Sequence, residues 1–213
     1  KPATATCQVT EACFRLMIQS GILPDGAIQL VTGGLGDMLD HLDCQDVVSF
    51  TGSAETALKL RSTPVLVERS VRFASEQDSL NASVLGSDAG PGTPAKAVQK
   101  CTAIRRIMVP QPHVDALIAA LSDRLAKVTI GDPRLEGTKM GALVSQSQRR
   151  DVLEKAALIG SEATRVFGDP DAFAVEGADA QKGAFVPPML FHCADPDAAT
   201  HVHDTEAFGP VST

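Results

Sequence analysis

Between residues 28 and 60, short apolar runs, glycine turns and helix-forming stretches follow one another, and this order limits the fold more than any other feature of the chain. Residues 28–31 predict a strand, Gly33-Gly34-Leu35-Gly36 a glycine loop, and Leu39 and Leu42 mark a short helix. Residues 47–50 predict a second strand, which Thr51-Gly52-Ser53 turns into a helix over 54–60. Strand, turn and helix in succession make an α/β layer with a parallel sheet. Upstream, Val9, Ala12, Cys13, Leu16 and Met17 recur at helical spacing, so a helix is expected with Cys13 on its core-facing stripe. Beyond Pro64, residues 71–74, 81–85 and 104–109 read as strands. Val114, Leu117, Ile118, Leu121 and Leu125 mark an amphipathic helix, and Ser145 with Gln148 the capping box of another. Residues 87–94 read as a loop or break and 169–182 as an exposed loop.

The charge balance narrows the function. With 26 acidic against 19 basic side chains the net charge is −7, so no general affinity for nucleic acid is expected, because phosphate binding needs a basic face. No apolar run approaches the ~20 residues of a membrane helix, and no membrane partner is expected. The five cysteines (Cys7, Cys13, Cys44, Cys101 and Cys193) are odd in number and widely spaced. That disfavours a disulfide framework or zinc ribbon and suits a reducing, cytoplasmic setting. His201 and His203 with Cys193 lack a further ligand at good spacing, so no metal is assigned and an exposed histidine pair is expected. The chain starts at Lys1 and stops in mid-pattern at Thr213, and it is read as a fragment of a longer one.

Singly, the chemical motifs are weak. Leu39 stands where a third glycine would complete G-x-G-x-x-G. A strand ending in Thr51-Gly52-Ser53 at a helix start is either a phosphate cradle or a plain N-cap. Cys101 has the cationic neighbours Lys100 and Arg105, which favour a reactive thiolate. Glu76 at a strand end is a general base or a solvated carboxylate. Glu206-Ala207-Phe208-Gly209-Pro210 reads as an exposed turn.

In order, the pieces form one set: Lys1-Pro2-Ala3, Phe50-Thr51-Gly52-Ser53, Glu76, Gln99-Lys100-Cys101 and Glu206-Ala207-Phe208-Gly209-Pro210. From Lys1 to Val211 the chain resembles the aldehyde dehydrogenase superfamily. Lys1-Pro2-Ala3-Thr4-Ala5-Thr6, Asp78-Ser79-Leu80-Asn81 and Lys100-Cys101-Thr102-Ala103-Ile104-Arg105-Arg106 look like ring-cleavage CoA-semialdehyde dehydrogenases of aerobic aromatic degradation. The phenylacetate branch is favoured and the benzoate branch comes next. The resemblance implies an α/β, aldehyde dehydrogenase-like fold in fragment. Residues 1–78 would be the C-terminal part of a Rossmann-like dinucleotide-binding domain, and 79–213 part of the thiol-bearing catalytic domain.

The resemblance also implies roles. Cys101 would attack the aldehyde carbon, and hydride transfer would leave a thioester. Glu76 would activate the water that hydrolyses it. Lys1 would hold the adenosine ribose or its phosphate, Thr51, Gly52 and Ser53 the pyrophosphate, Glu206 the nicotinamide ribose, with Phe208 beside the nicotinamide. Members preferring NAD often carry Glu three residues after the lysine. Here Thr4 stands there, which implies NADP, with NAD second. The substrate would be a CoA-linked semialdehyde, the assembly a homo-oligomer, and in the phenylacetate branch a hydratase domain would be fused to the chain.

Three departures bear on this. Val98 replaces the family's usual Gly before Gln99. Glu76 and Cys101 are 25 positions apart, fewer than in the family, with the shortfall at Pro94-Ala95. The family's oxyanion-hole Asn would precede Lys1. They motivate an alternative, an inactive fragment or scaffold. A CoA-acylating enzyme is a further alternative, disfavoured by Glu76.

Overall fold

The structure, a computed structural model, describes residues 1–86 and 101–213. The expected break at 87–94, the Pro94-Ala95 shortfall, Val98, Gln99 and Lys100 lie outside the described residues. The chain divides into two compact units, Lys1–Asp78 and Ser79–Thr213. Strands and helices are mixed in both, as the α/β expectation requires. No helix among the described residues is long and apolar enough to cross a membrane.

The first unit contains α1 (Cys7–Gln19), β1 (Val47–Thr51), α2 (Ala54–Arg61), α3 (Pro64–Glu68) and β2 (Arg72–Glu76). β1 and β2 pair in parallel, from Val47 opposite Arg72 to Thr51 opposite Glu76, with α2 and α3 as the crossover. Ser53 starts α2 as its N-cap, its hydroxyl accepting from the Thr56 N–H at 3.3 Å. Pro64 occupies the first turn of α3, where its missing N–H costs nothing.

Two expectations fail in this unit and a third is met in a shorter form. Residues 28–31 form no strand. A strand needs a hydrogen-bonded neighbour, and among the described residues β1 and β2 pair only with each other. The helix marked by Leu39 and Leu42 is a single 3-10 turn, Met38–His41. Cys13 is exposed rather than core. The helix around it forms, but its apolar face looks outward, with Leu16 67% exposed. Periodicity marks an apolar face without saying what covers it. The buried residues of this unit, among those described, are Ala57, Leu66 and Val71.

The second unit contains β3 (Ala82–Val84), β4 (Arg106–Met108), α4 (Val114–Leu125), α5 (Gln146–Gly160), β5 (Thr164–Phe167), β6 (Met189–His192), α6 (His201–Asp204) and β7 (Val211–Ser212). β3 pairs with β4 and β6 with β7 in parallel, while β5 joins β6 antiparallel. The Thr213 N–H donates to Arg105 O at 2.8 Å and the Ile107 N–H to Thr213 O at 2.7 Å, the pattern of a parallel pair. These bonds seat residues 211–213 between β4 and β6. Thr213, one residue beyond β7, thereby links the β3-β4 pair to the three-stranded sheet β5-β6-β7, in which β5 is the antiparallel edge.

The core of this unit lies where α5 packs on the sheet. Val152, Ala156 and Ile159, at i, i+4 and i+7, meet Val186, Met189, Phe191, Val202, Ala207 and Val211. Val152 is wholly buried at 0% exposure. Ser145 caps α5 by accepting from the Gln148 N–H at 3.1 Å.

Candidate active site

Cys101 is exposed, and it opens onto a cavity of about 310 Å³ lined also by Arg105, Leu143, Gln148, Phe208 and Gly209. The turn that presents it is fastened by Asn81. The Asn81 amide donates to Cys101 O at 3.1 Å and to Ala103 O at 3.4 Å. Asn81 O in turn accepts from the N–H groups of Arg105 at 2.9 Å and Arg106 at 3.1 Å. A larger cavity, of about 440 Å³, shares Arg105 and Gly209 but contains neither Cys101 nor Phe208.

The expected exposed turn at Glu206 is instead folded inward. The Glu206 side chain is only 10% exposed, Ala207 and Gly209 are buried, and Phe208 alone stays 47% exposed. The cause is a clasp of polar groups from three distant positions. Ser79 N–H donates to Glu206 Oε2 at 3.1 Å. Arg105 lies with Nε 3.8 Å from Glu206 Oε1, donates from Nη1 to Gly209 O, and places its Cζ 5.8 Å from the Phe208 ring centre. Gln148 donates from Nε2 to Phe208 O at 3.1 Å. Its side chain therefore does not close the expected capping box; it reaches the site instead. Burial pulls the Arg105 guanidinium below the usual arginine range, and the charges of Glu206 and Cys101 oppose that pull.

Gly209 is fixed by sterics. A Cβ there would stand 2.7 and 2.8 Å from the two methyls of Val152, a stiff β-branched core residue. Gly209→Ala is therefore expected to destabilise the intact protein by about 1–3 kcal/mol through overpacking. A urea midpoint unchanged from wild type would contradict this.

In the first unit, the ends of β1 and β2 bring Thr51, Gly52, Ser53 and Glu76 together. Ligands of open α/β sheets bind at this carboxyl end of the strands. Glu76 is exposed, and its carbonyl accepts from the Gly52 N–H at 3.1 Å. A Cβ at Gly52 would meet the tip of the Phe50 ring at 2.6 Å, so a larger residue there requires that ring to move. The Asp78 carboxylate accepts from the Ala54 N–H at 3.3 Å, so an acid already occupies the start of α2. Lys1 and Thr4 are exposed, and Lys1 Nζ reaches Pro2 O at 3.2 Å.

Elsewhere, His201 and His203 are half-buried rather than exposed, because α6 packs onto the core and His203 Nε2 lies 2.9 Å from Pro196 O. Among the described residues no three His, Cys, Asp or Glu side chains gather as a metal site. Sequence reasoning missed Asn81 and Gln148 as organisers of the Cys101 cavity. Their partners lie 20 and 60 positions away, so no local signal marks them.

Comparison with known proteins adds an independent finding. The aldehyde dehydrogenase family model matches residues 1–213. The chain is 47% identical over 228 aligned positions to 3,4-dehydroadipyl-CoA semialdehyde dehydrogenase of Aromatoleum evansii, covering 100% of this chain and 44% of that protein. It is 30% identical to alpha-ketoglutarate semialdehyde dehydrogenase of Haloferax volcanii, over 99% of this chain and 44% of that one. Among solved structures, a double variant of betaine aldehyde dehydrogenase from Staphylococcus aureus, crystallised with NAD+, superposes with a TM-score of 0.81 at 27% identity. That match covers 100% of this chain and 44% of the other. The chain thus spans less than half the length of these relatives.

Proposed function

The chain belongs to the aldehyde dehydrogenase family, and from that premise we propose that the full-length protein oxidises a CoA-linked semialdehyde to the carboxylic acid. One observation carries the reading: the exposed Cys101 thiol faces a cavity walled by Arg105, Gln148 and Phe208. The two units take the roles of dinucleotide-binding part (1–78) and thiol-bearing catalytic part (79–213). The protein acts in the cytoplasm as a homo-oligomer, and in the phenylacetate branch it carries a fused hydratase domain.

The chemistry proceeds through the sulfur. The Cys101 thiolate adds to the aldehyde carbon, and the carbonyl oxygen takes up the negative charge. That charge returns to re-form C=O as hydride leaves, giving a thioester. Glu76 takes a proton from water, the water oxygen attacks the thioester carbon, and the thiolate departs with the bond pair. The dinucleotide, when bound, supplies the hydride acceptor. The chain's residues fit such a group in part. Lys1 offers an exposed ammonium for a ribose phosphate, and Thr4, three residues on, carries no charge to repel one, whereas the Ser53 hydroxyl is engaged by Thr56, from whose N–H it accepts and to whose Oγ1 it donates. The Gly52 and Ala54 N–H groups are already engaged by Glu76 and Asp78, so the pyrophosphate relies on the remaining groups of the Thr51-Gly52-Ser53 turn. Glu206 and Phe208 take the nicotinamide end.

NADP is the acceptor we favour, and the phenylacetate branch the pathway. A second reading, the benzoate-branch semialdehyde, is supported by the relative at 47% identity. Assays of the full-length enzyme with both semialdehydes, each dinucleotide, and with and without free CoA test these points. The expected product is the free acid, formed without consuming CoA. A thioester product that requires free CoA would overturn the hydrolytic reading. Thr4→Glu should move the ratio of kcat/KM for NADP over NAD downward by about tenfold or more, the scale of one charged contact to a 2′-phosphate. An unmoved ratio would count against NADP.

A further inference from the structure

We propose that Arg105 is a positioning residue of this site, its guanidinium fixing Glu206, Phe208 and Gly209 in one geometry beside the Cys101 cavity. The inference rests on reading that cavity as the aldehyde-oxidising centre. It is carried by four observations that converge on one side chain.

First, the backbone of Arg105 is pinned on both sides. Its N–H donates to Asn81 O and its carbonyl accepts from Thr213. The direction of the side chain is thereby set by the sheet. Second, the side chain is buried at 5% exposure, an uncommon place for an arginine unless it is paired. Third, three of its contacts among the described residues fall in one short segment: the Glu206 carboxylate, the face of Phe208 and the Gly209 carbonyl. A planar fork of donors suits that task, whereas an ammonium is a point donor. Fourth, Arg105 stands four residues after Cys101 and lines the same cavity. One side chain thus links the turn bearing the thiol to the segment bearing Glu206.

Gln148 and Val152 hold the segment from its other side, so Arg105 completes a clamp around it. Without the guanidinium, Glu206 would be a nearly buried carboxylate lacking its cation, and Phe208 would lose the group that its ring covers.

The test uses the full-length enzyme and compares R105M, R105K, E206Q and the double variant R105M/E206Q with wild type. Unfolding midpoints are measured alongside. R105M is expected to lower kcat/KM by about 100-fold, the scale of a misplacement near 1 Å. R105K should retain the charge but not the fork, and fall by about tenfold. The losses of R105M and E206Q should not multiply, because each removes the same arrangement; the double variant should lie within about threefold of the worse single variant. A purely structural role would lower the midpoint and the yield of folded enzyme without this non-additivity. If R105M does not fold, R105K carries the comparison. Values of kcat/KM within about threefold of wild type for the folded arginine variants, or losses that multiply, would overturn the proposal.

A second readout separates this proposal from the proposed function. Alkylation of Cys101 by iodoacetamide, followed by peptide mass spectrometry, needs no turnover. Its rate should change by about fivefold in R105M, since Phe208 and Gly209, which wall the cavity that the thiol opens onto, lose the group that holds them. If wild type oxidises no semialdehyde while this change is seen, the function fails and the role of Arg105 stands. Equal alkylation rates would overturn the role of Arg105.

Discussion

Cys101→Ala in the full-length enzyme is expected to abolish aldehyde oxidation, with kcat falling on the order of 10⁵-fold, while dinucleotide affinity stays within about twofold of wild type. The size of the effect follows from the chemistry. Carbon–sulfur bond formation creates the centre that gives up hydride, so no weaker residual route through the site replaces it. The retained affinity follows from the position of Cys101, which is fastened by Asn81 and exposed on a cavity. Removing one sulfur there leaves no buried polar group unpaired. Equilibrium titration of dinucleotide and a product assay on the same preparation check both halves. Full turnover by the alanine variant would remove Cys101 as nucleophile and revive the scaffold alternative.

Glu76→Gln is expected to divide the reaction at its midpoint. The amide keeps the size of the side chain and removes the base, so hydride transfer proceeds and thioester hydrolysis stalls. Rapid mixing should show a burst of reduced dinucleotide close to one equivalent per site, followed by a steady rate about 10²- to 10⁴-fold below wild type. Glu76 is exposed at the end of β2, so the exchange should leave the unfolding midpoint nearly unchanged. Steady turnover at the wild-type rate would assign water activation to another group.

The sequence points to these two residues through their order among the other motifs, although neither stands out alone, and their roles await the two experiments above. β1 and α2 were legible for a local reason: an apolar run meets a Thr-Gly-Ser stop whose serine caps the next helix. α4 and α5 likewise follow from spacing and a cap. What escaped depends on distant partners. Residues 28–31 have the composition of a strand but no neighbour among the described residues to bond with. β6, Met-Leu-Phe-His, is buried on both faces and shows no alternation to read. Cys13 sits on a helical stripe whose exposure no local pattern reports. Arg105 was read as a cationic flank of Cys101. Its burial and its grip on Glu206 arise from contacts about 100 positions away and could not be inferred from its neighbours.

Seating residues 211–213 between β4 and β6 has a consequence for how the chain is made. Ser212 bonds to Ile104 across 108 positions of sequence, so β4 leaves the ribosome long before its sheet neighbour exists. At a translation rate of 5–20 residues per second the interval is roughly 5–20 s. Throughout it, the β3–β4 pair shows an open edge to solvent, the kind of edge that templates pairing between chains. Assembly of the Cys101 site therefore waits on that later segment, because Arg105 finds the Glu206 segment only when the strand that follows it has arrived. Slow closure of this kind makes the nascent protein, rather than the finished one, the form most exposed to aggregation and most in need of a chaperone.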